Sequence, residues 1–165
     1  MRVYKVYLGG DHAGFELKNK IKEFLKSLGY EIKDLGPHSF ESDDDYPDFV
    51  KPVAEAVAVE PESRGIIIGG GGQGEAIVAN RISGARATVF YGPRPAVQSV
   101  DVAGRHSDNP YEIVRLAREH NNANILSLAA RFLTDDEARQ VVKIFLETPF
   151  SGDARHVRRI RKIDD

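Results

Sequence analysis

The 165-residue chain has a net charge of −2, with 41% hydrophobic and 29% charged residues and no cysteine. That length supports one domain with a substantial core, and the charge balance offers no overall electropositivity for nucleic acid or a membrane surface. The missing cysteine excludes disulfides, thiolate nucleophiles and cysteine-ligated zinc.

Short β-branched runs alternate with amphipathic segments. Residues 3–8 read as a strand, and 15–28 as a helix with Phe15, Ile21, Phe24, Leu25 and Leu28 at helical spacing and Gly29 as its stop. A second strand is expected at 30–35. The next helix spans 47–59, introduced by Asp43, Asp44 and Asp45 and ended before Pro61. The acidic run could suggest a magnesium site, but acids ahead of a helix commonly cap it, and capping is the preferred reading. Residues 65–68 form strand three, 75–82 a short helix and 85–91 strand four. A helix at 111–121, a strand at 124–128, a helix at 135–146 and a basic helical tail at 154–163 follow. The stretch 92–110 has three prolines and little periodicity, which marks a functional or mobile loop.

Strands separated by helices imply right-handed parallel βαβ units. The expected fold class is α/β: a three-layer α/β/α sandwich, Rossmann-like, with about five parallel strands. Ligands of such sheets bind beyond the carboxyl ends of the strands, where the runs 9–14 and 69–74 both fall. The first residues lack the apolar stretch of a signal peptide, and no apolar run is long enough to span a bilayer, so the expected location is the cytoplasm.

The strand Ile66-Ile67-Ile68 leads into Gly69, Gly70, Gly71, Gly72, Gln73 and Gly74, and then Glu75 in the first turn of a helix. Bare amides at a strand-to-helix turn favour negative charge. A glutamate beside them suits a base that removes a proton while the amides catch the resulting anion. Positions 69, 71 and 74 match the dinucleotide pattern, but they follow the third strand, strand four ends without an acid, and no Walker-type lysine follows. A tight turn accounts for one or two glycines, not five.

Asp11 and His12 follow strand one at the same edge. Asp11 could be a helix cap, while His12 could hold a proton near neutral pH or bind phosphate. His120 ends a helix, where it could simply oppose the dipole, and Asn121 and Asn122 offer amides to sugar hydroxyls. Arg155 and Arg159, spaced i, i+4, share one helix face and could grip a phosphate together. A nucleic-acid tail is the rival there, but no aromatics are interleaved and the chain is acidic overall.

Together these pieces resemble the ribose-5-phosphate isomerase B family, which also includes bacterial galactose-6-phosphate and allose-6-phosphate isomerases. The resemblance covers nearly the whole chain. It rests on residues 10–18, on Asp44-Asp45-Tyr46-Pro47, on the glycine run through Asn80-Arg81, on 118–124 and on 155–159, in the family's order. Many members carry a cysteine base where this chain has Gly69. The subgroup lacking it, best represented among actinobacteria, is similar to this chain in placing a glutamate at Glu75. Relatives also carry threonine or serine at Gly71, whose hydroxyl helps hold the intermediate. The stretch between Tyr91 and Tyr111 looks longer than in most relatives and is expected close to the sugar.

The resemblance implies a single sugar-phosphate isomerase domain over 1–165, with a helical tail from about 151. It implies an isomerase without cofactor or metal that turns ribose 5-phosphate into ribulose 5-phosphate through a cis-enediolate. Asp11 and His120 would assist ring opening, Glu75 would be the base, and the amides of Gly70, Gly71, Gly72, Gln73 and Gly74 would hold the enediolate. Asn121 would bind hydroxyls. His12, Arg131, Arg155 and Arg159 would hold the phosphate, some donated by a second subunit in a homodimer or dimer of dimers with shared sites. A free glutamate is a weak base for a C–H proton; burial would raise its pKa and nearby amides would lower it. The alternatives are an isomerase of a six-carbon sugar phosphate and a non-catalytic sugar-phosphate binding protein.

Overall fold

A computed structural model describes residues 5–163. Strand β1 (Lys5–Gly10), helix α1 (Phe15–Ser27), β2 (Glu31–Asp34), α2 (Tyr46–Val59) and β3 (Arg64–Gly69) form the first half. The second half comprises α3 (Gln73–Ala79), β4 (Ala87–Phe90), α4 (Glu112–Asn121), β5 (Ile125–Ala129), α5 (Asp135–Glu147) and α6 (Ala154–Ile160). Every expected element is present, with ends shifted by a few residues; Val3 and Tyr4 of the expected first strand lie outside the described residues.

The five strands form one parallel sheet in the order β2-β1-β3-β5-β4. Strand alternation sends side chains into two cores. Val6, Leu8, Ile66, Ile68, Leu126 and Leu128 pack with residues of α1, α4 and α5. Tyr7, Ile67 and Ile125 pack on the other face with Val50, Val53 and Val57 of α2 and Ala79 of α3. The three isoleucines of β3 are therefore all fully buried, as a central strand covered on both faces requires. The result is the three-layer α/β/α sandwich.

This topology places the carboxyl ends of β1 and β3 side by side, since Gly10 pairs with Ile68. Asp11 N donates to Ile68 O at 3.2 Å, and a Cβ at Gly14 would stand 2.1 Å from that oxygen. The turn after β1 thus lies flat against the end of β3. Helix α4 runs back along the sheet, so its last residues, His120 and Asn121, reach the opposite edge, where β5 starts.

The loop 92–110 is tied down at its far end. Arg105 reaches Asp101 at 3.2 Å and the buried Glu112 at 2.8 Å, and Ser107 Oγ donates to Glu112 at 3.0 Å. With Val89, Phe90, Ile113 and Leu116 it borders a hollow of about 380 Å3 beside the edge strand β4. Within the chain β5 separates β4 from β3, and no residue of this loop lines the glycine turn's cavity.

Candidate active site

At the carboxyl edge, Asp11, His12, Ala13, Tyr46, Gly70, Gly71, Gln73, Gly74, Glu75 and Arg131 line a cavity of about 300 Å3. Gly72 caps α3 with φ +71°, a left-handed conformation that favours glycine. Ser127 Oγ, fully buried on β5, donates to Gly72 O at 2.7 Å and fixes the turn from below.

Gly69 has a different reason to be glycine. A Cβ built there would stand 1.7 Å from Glu75 Oε1 and 2.2 Å from Glu75 Cδ. The Glu75 carboxylate occupies the volume in which a side chain at position 69 would start. The absent side chain and the glutamate are two aspects of one feature. Gly71, by contrast, has nothing within 4 Å of its would-be Cβ, so the position is open to the cavity.

Glu75 is 5% exposed. Burial raises its pKa above the ordinary carboxylate range, and the negative charge of Asp11 pushes the same way, against the hydrogen bond from its own backbone amide. The opposed effects that sequence alone left open resolve in favour of burial. A carboxylate raised in this way is a stronger base for carbon-bound protons. Asp11 is buried beside it, with Oδ1 accepting from Gly14 N at 3.0 Å.

The acidic run ahead of α2 does not cap it. Asp45 is the N-cap residue but its side chain makes no capping bond. Asp44 instead accepts from His12 N at 3.0 Å and lies 2.7 Å from His12 Nδ1. Two bonds from one partner in a sheltered crevice outweigh one bond to a solvated helix amide. Among the described residues no group of three or more His, Asp and Glu could hold a metal. Tyr46, which sequence reasoning also passed over, stands over Gly74, where a Cβ would meet its ring at 3.0 Å.

The remaining sequence candidates gather at the other edge. His120 stacks on His156 with centroids 4.3 Å apart and planes 12° apart. His156 is buried, and its pKa is lowered chiefly by that burial and then by the charges of His120 and Arg155. Arg155 Nε donates to His156 Nε2 at 3.3 Å. Asn121 and Arg159 are exposed. Asn122 Oδ1 accepts from Arg118 at 3.0 Å. Gly65 pairs with Ile125 and Gly69 with Ala129, so about 13 Å of strand separates the two edges at roughly 3.3 Å per residue. One chain brings Asp11, His12, Glu75, the glycine amides and Arg131 together, but not His120, Asn121, Arg155 or Arg159.

The sequence matches the family described as Ribose/Galactose Isomerase over residues 6–109 and 102–163. The chain belongs to that family. Among relatives in the Ribose/Galactose Isomerase family, it is 42% identical to ribose-5-phosphate isomerase B of Mycolicibacterium paratuberculosis over 156 residues, covering 94% of this chain and 87% of the relative. It is also similar to the crystal structure of a ribose 5-phosphate isomerase from Thermotoga maritima, with TM-score 0.83 and 41% identity over 99% of both chains. The ribose-5-phosphate isomerase B of Mycoplasma genitalium, solved with bound ribulose-5-phosphate, gives TM-score 0.83 and 36% identity, covering 99% of this chain and 95% of that one.

Proposed function

We propose that the protein is an aldose–ketose isomerase that converts ribose 5-phosphate to ribulose 5-phosphate, with Glu75 as the base. The observation that carries this reading is the buried Glu75 carboxylate, standing in the space of a side chain at Gly69 beside the row of amides. Family membership and the relatives' activity support it. Asp11, with His120, assists opening of the furanose, moving a proton from the C1 hydroxyl to the ring oxygen. Glu75 then takes the C2 proton, and the freed electron pair forms the C1–C2 double bond of a cis-enediolate. The amides of Gly70 to Gly74 hold its charge, each lost donor costing about 3 kcal/mol. Glu75 returns the proton to C1 while the O2 hydroxyl proton passes to O1, so that C2 becomes the carbonyl and C1 a hydroxymethyl group.

His120, Asn121, Arg155 and Arg159 enter this scheme from a second copy of the chain. Their distance from the cradle supports a homodimer with shared sites. So do Ile77 and Phe132, 66% and 68% exposed near the cradle, which a second copy would cover. The scheme needs no cofactor, and we place the enzyme in the cytoplasm, in pentose phosphate metabolism.

Incubation with ribose 5-phosphate should yield ribulose 5-phosphate. Glu75→Gln should lower kcat by about 10³-fold with KM little changed. Near-normal turnover in that variant would remove Glu75 as the base. Binding without turnover across five- and six-carbon aldose phosphates would favour a sugar-phosphate binding protein, and faster turnover of a hexose phosphate would move the substrate to six carbons.

A further inference from the structure

Asp44 sits on the loop ahead of α2, 32 residues from the histidine it touches. One oxygen, Oδ1, serves both the His12 backbone amide at 3.0 Å and ring Nδ1 at 2.7 Å. The Asp44 side chain is 6% exposed, while that of His12 is 32% exposed toward the cavity. Its second oxygen, Oδ2, is buried without a hydrogen-bond partner among the described residues. A half-satisfied buried carboxylate is costly, and helix capping does not compensate it, because no capping bond forms at α2.

We propose that Asp44 is a positioning residue that sets the tautomer and angle of the His12 ring. An ionised carboxylate can only accept, so a 2.7 Å contact to Nδ1 requires the ring proton to be on Nδ1. That leaves Nε2 as the ring's remaining polar atom for the ligand in the cavity. The backbone bond from the same oxygen holds the His12 main chain, so ring and backbone are aligned by one atom. This is the logic by which a carboxylate behind a histidine fixes which nitrogen meets a metal or substrate. The consequence for turnover rests on the isomerase reading above; the tautomer does not.

The test uses 15N NMR of the full chain with labelled histidine, His12 being assigned by its loss in His12→Ala, at a pH high enough to keep the ring neutral. The parent should carry the His12 proton on Nδ1, and Asp44→Ala should move it toward Nε2, the tautomer free imidazole prefers. A parent ring protonated on Nε2 overturns the proposal by itself, whether or not Asp44→Ala folds, and so does an unchanged tautomer in Asp44→Ala. These spectra need no turnover, so they stand even if ribose 5-phosphate is not a substrate. With turnover, Asp44→Ala should raise KM about tenfold with kcat within about twofold. Asp44→Asn, which keeps an acceptor oxygen, should recover most of that. Combining Asp44→Ala with His12→Ala should add nothing to His12→Ala alone, whereas multiplied effects would show that Asp44 does not act through His12.

Discussion

The cradle at the carboxyl edge and the α4–α6 corner at the opposite edge both hold candidate site residues, yet they are built to different tolerances. The cradle's working atoms are backbone amides and two buried carboxylates, anchored on the fully buried strand β3 and pinned by Ser127. The corner hangs on α6, a seven-residue helix with one buried side chain, His156, and no side-chain cap. The arginines of α6 are partly or fully exposed. A proton transfer needs its base held to within a fraction of an ångström of the carbon. A phosphate, gripped by long cationic side chains, tolerates looser support. On the proposed reading, precision is located where the bond changes and adaptability where the substrate is held.

Four experiments would break or sharpen that contrast. If the two regions complete each other across a dimer, Glu75→Gln and His120→Ala should each be nearly inactive alone. Mixed and refolded together, they should recover about a quarter of parent activity, since half the dimers would hold one intact site. No recovery, with dimers present, would mean that the corner does not serve the cradle. Next in size, Gly69→Ala should lower kcat by about 10²-fold by displacing the Glu75 carboxylate from the space a Cβ needs; a variant with normal kcat would remove that steric link. At the corner, Arg155→Ala should raise KM about tenfold with kcat retained, because phosphate binding is shared by ground and transition states. A fall in kcat alone would contradict the looser role.

The smallest effect concerns stability. Burial raises the Glu75 pKa in the folded protein, so the folded chain holds that proton more tightly than the unfolded chain. Its contribution favours folding at low pH and is lost as pH rises through the raised value. Glu75→Gln should therefore melt above the parent at neutral pH, with the gap closing as pH falls below the ordinary glutamate range. A gap independent of pH would mean that the ionised carboxylate is not strained by its burial.

Much of this was legible before any coordinates. Periodicity and breakers located every element, because strands and helices bury side chains with periods read directly along the chain. The cradle was legible too, since five glycines after a β-branched run and a following acid form one continuous segment. Arg131 was placed in the site by family resemblance, and it lines the cavity.

What failed were the pairings between distant segments. Capping was the natural reading of Asp43 to Asp45, because sequence shows a helix start but not the histidine that a loop brings within 2.7 Å. The bond from Arg118 to Asn122 Oδ1 carried no sign in the sequence either. His156, buried against His120, carried no local sign of that stack.

The sequence by itself determined the layer architecture, the glycine-rich strand-to-helix turn and the carboxylate that follows it in a chain without cysteine, for these depend on residue type and short-range spacing. Only the tertiary structure decided that Glu75 is buried in the space left by Gly69, that Asp44 backs His12, and that the site candidates divide between opposite edges of the sheet. Strand order and helix direction set those distances, and neither is encoded in any one segment.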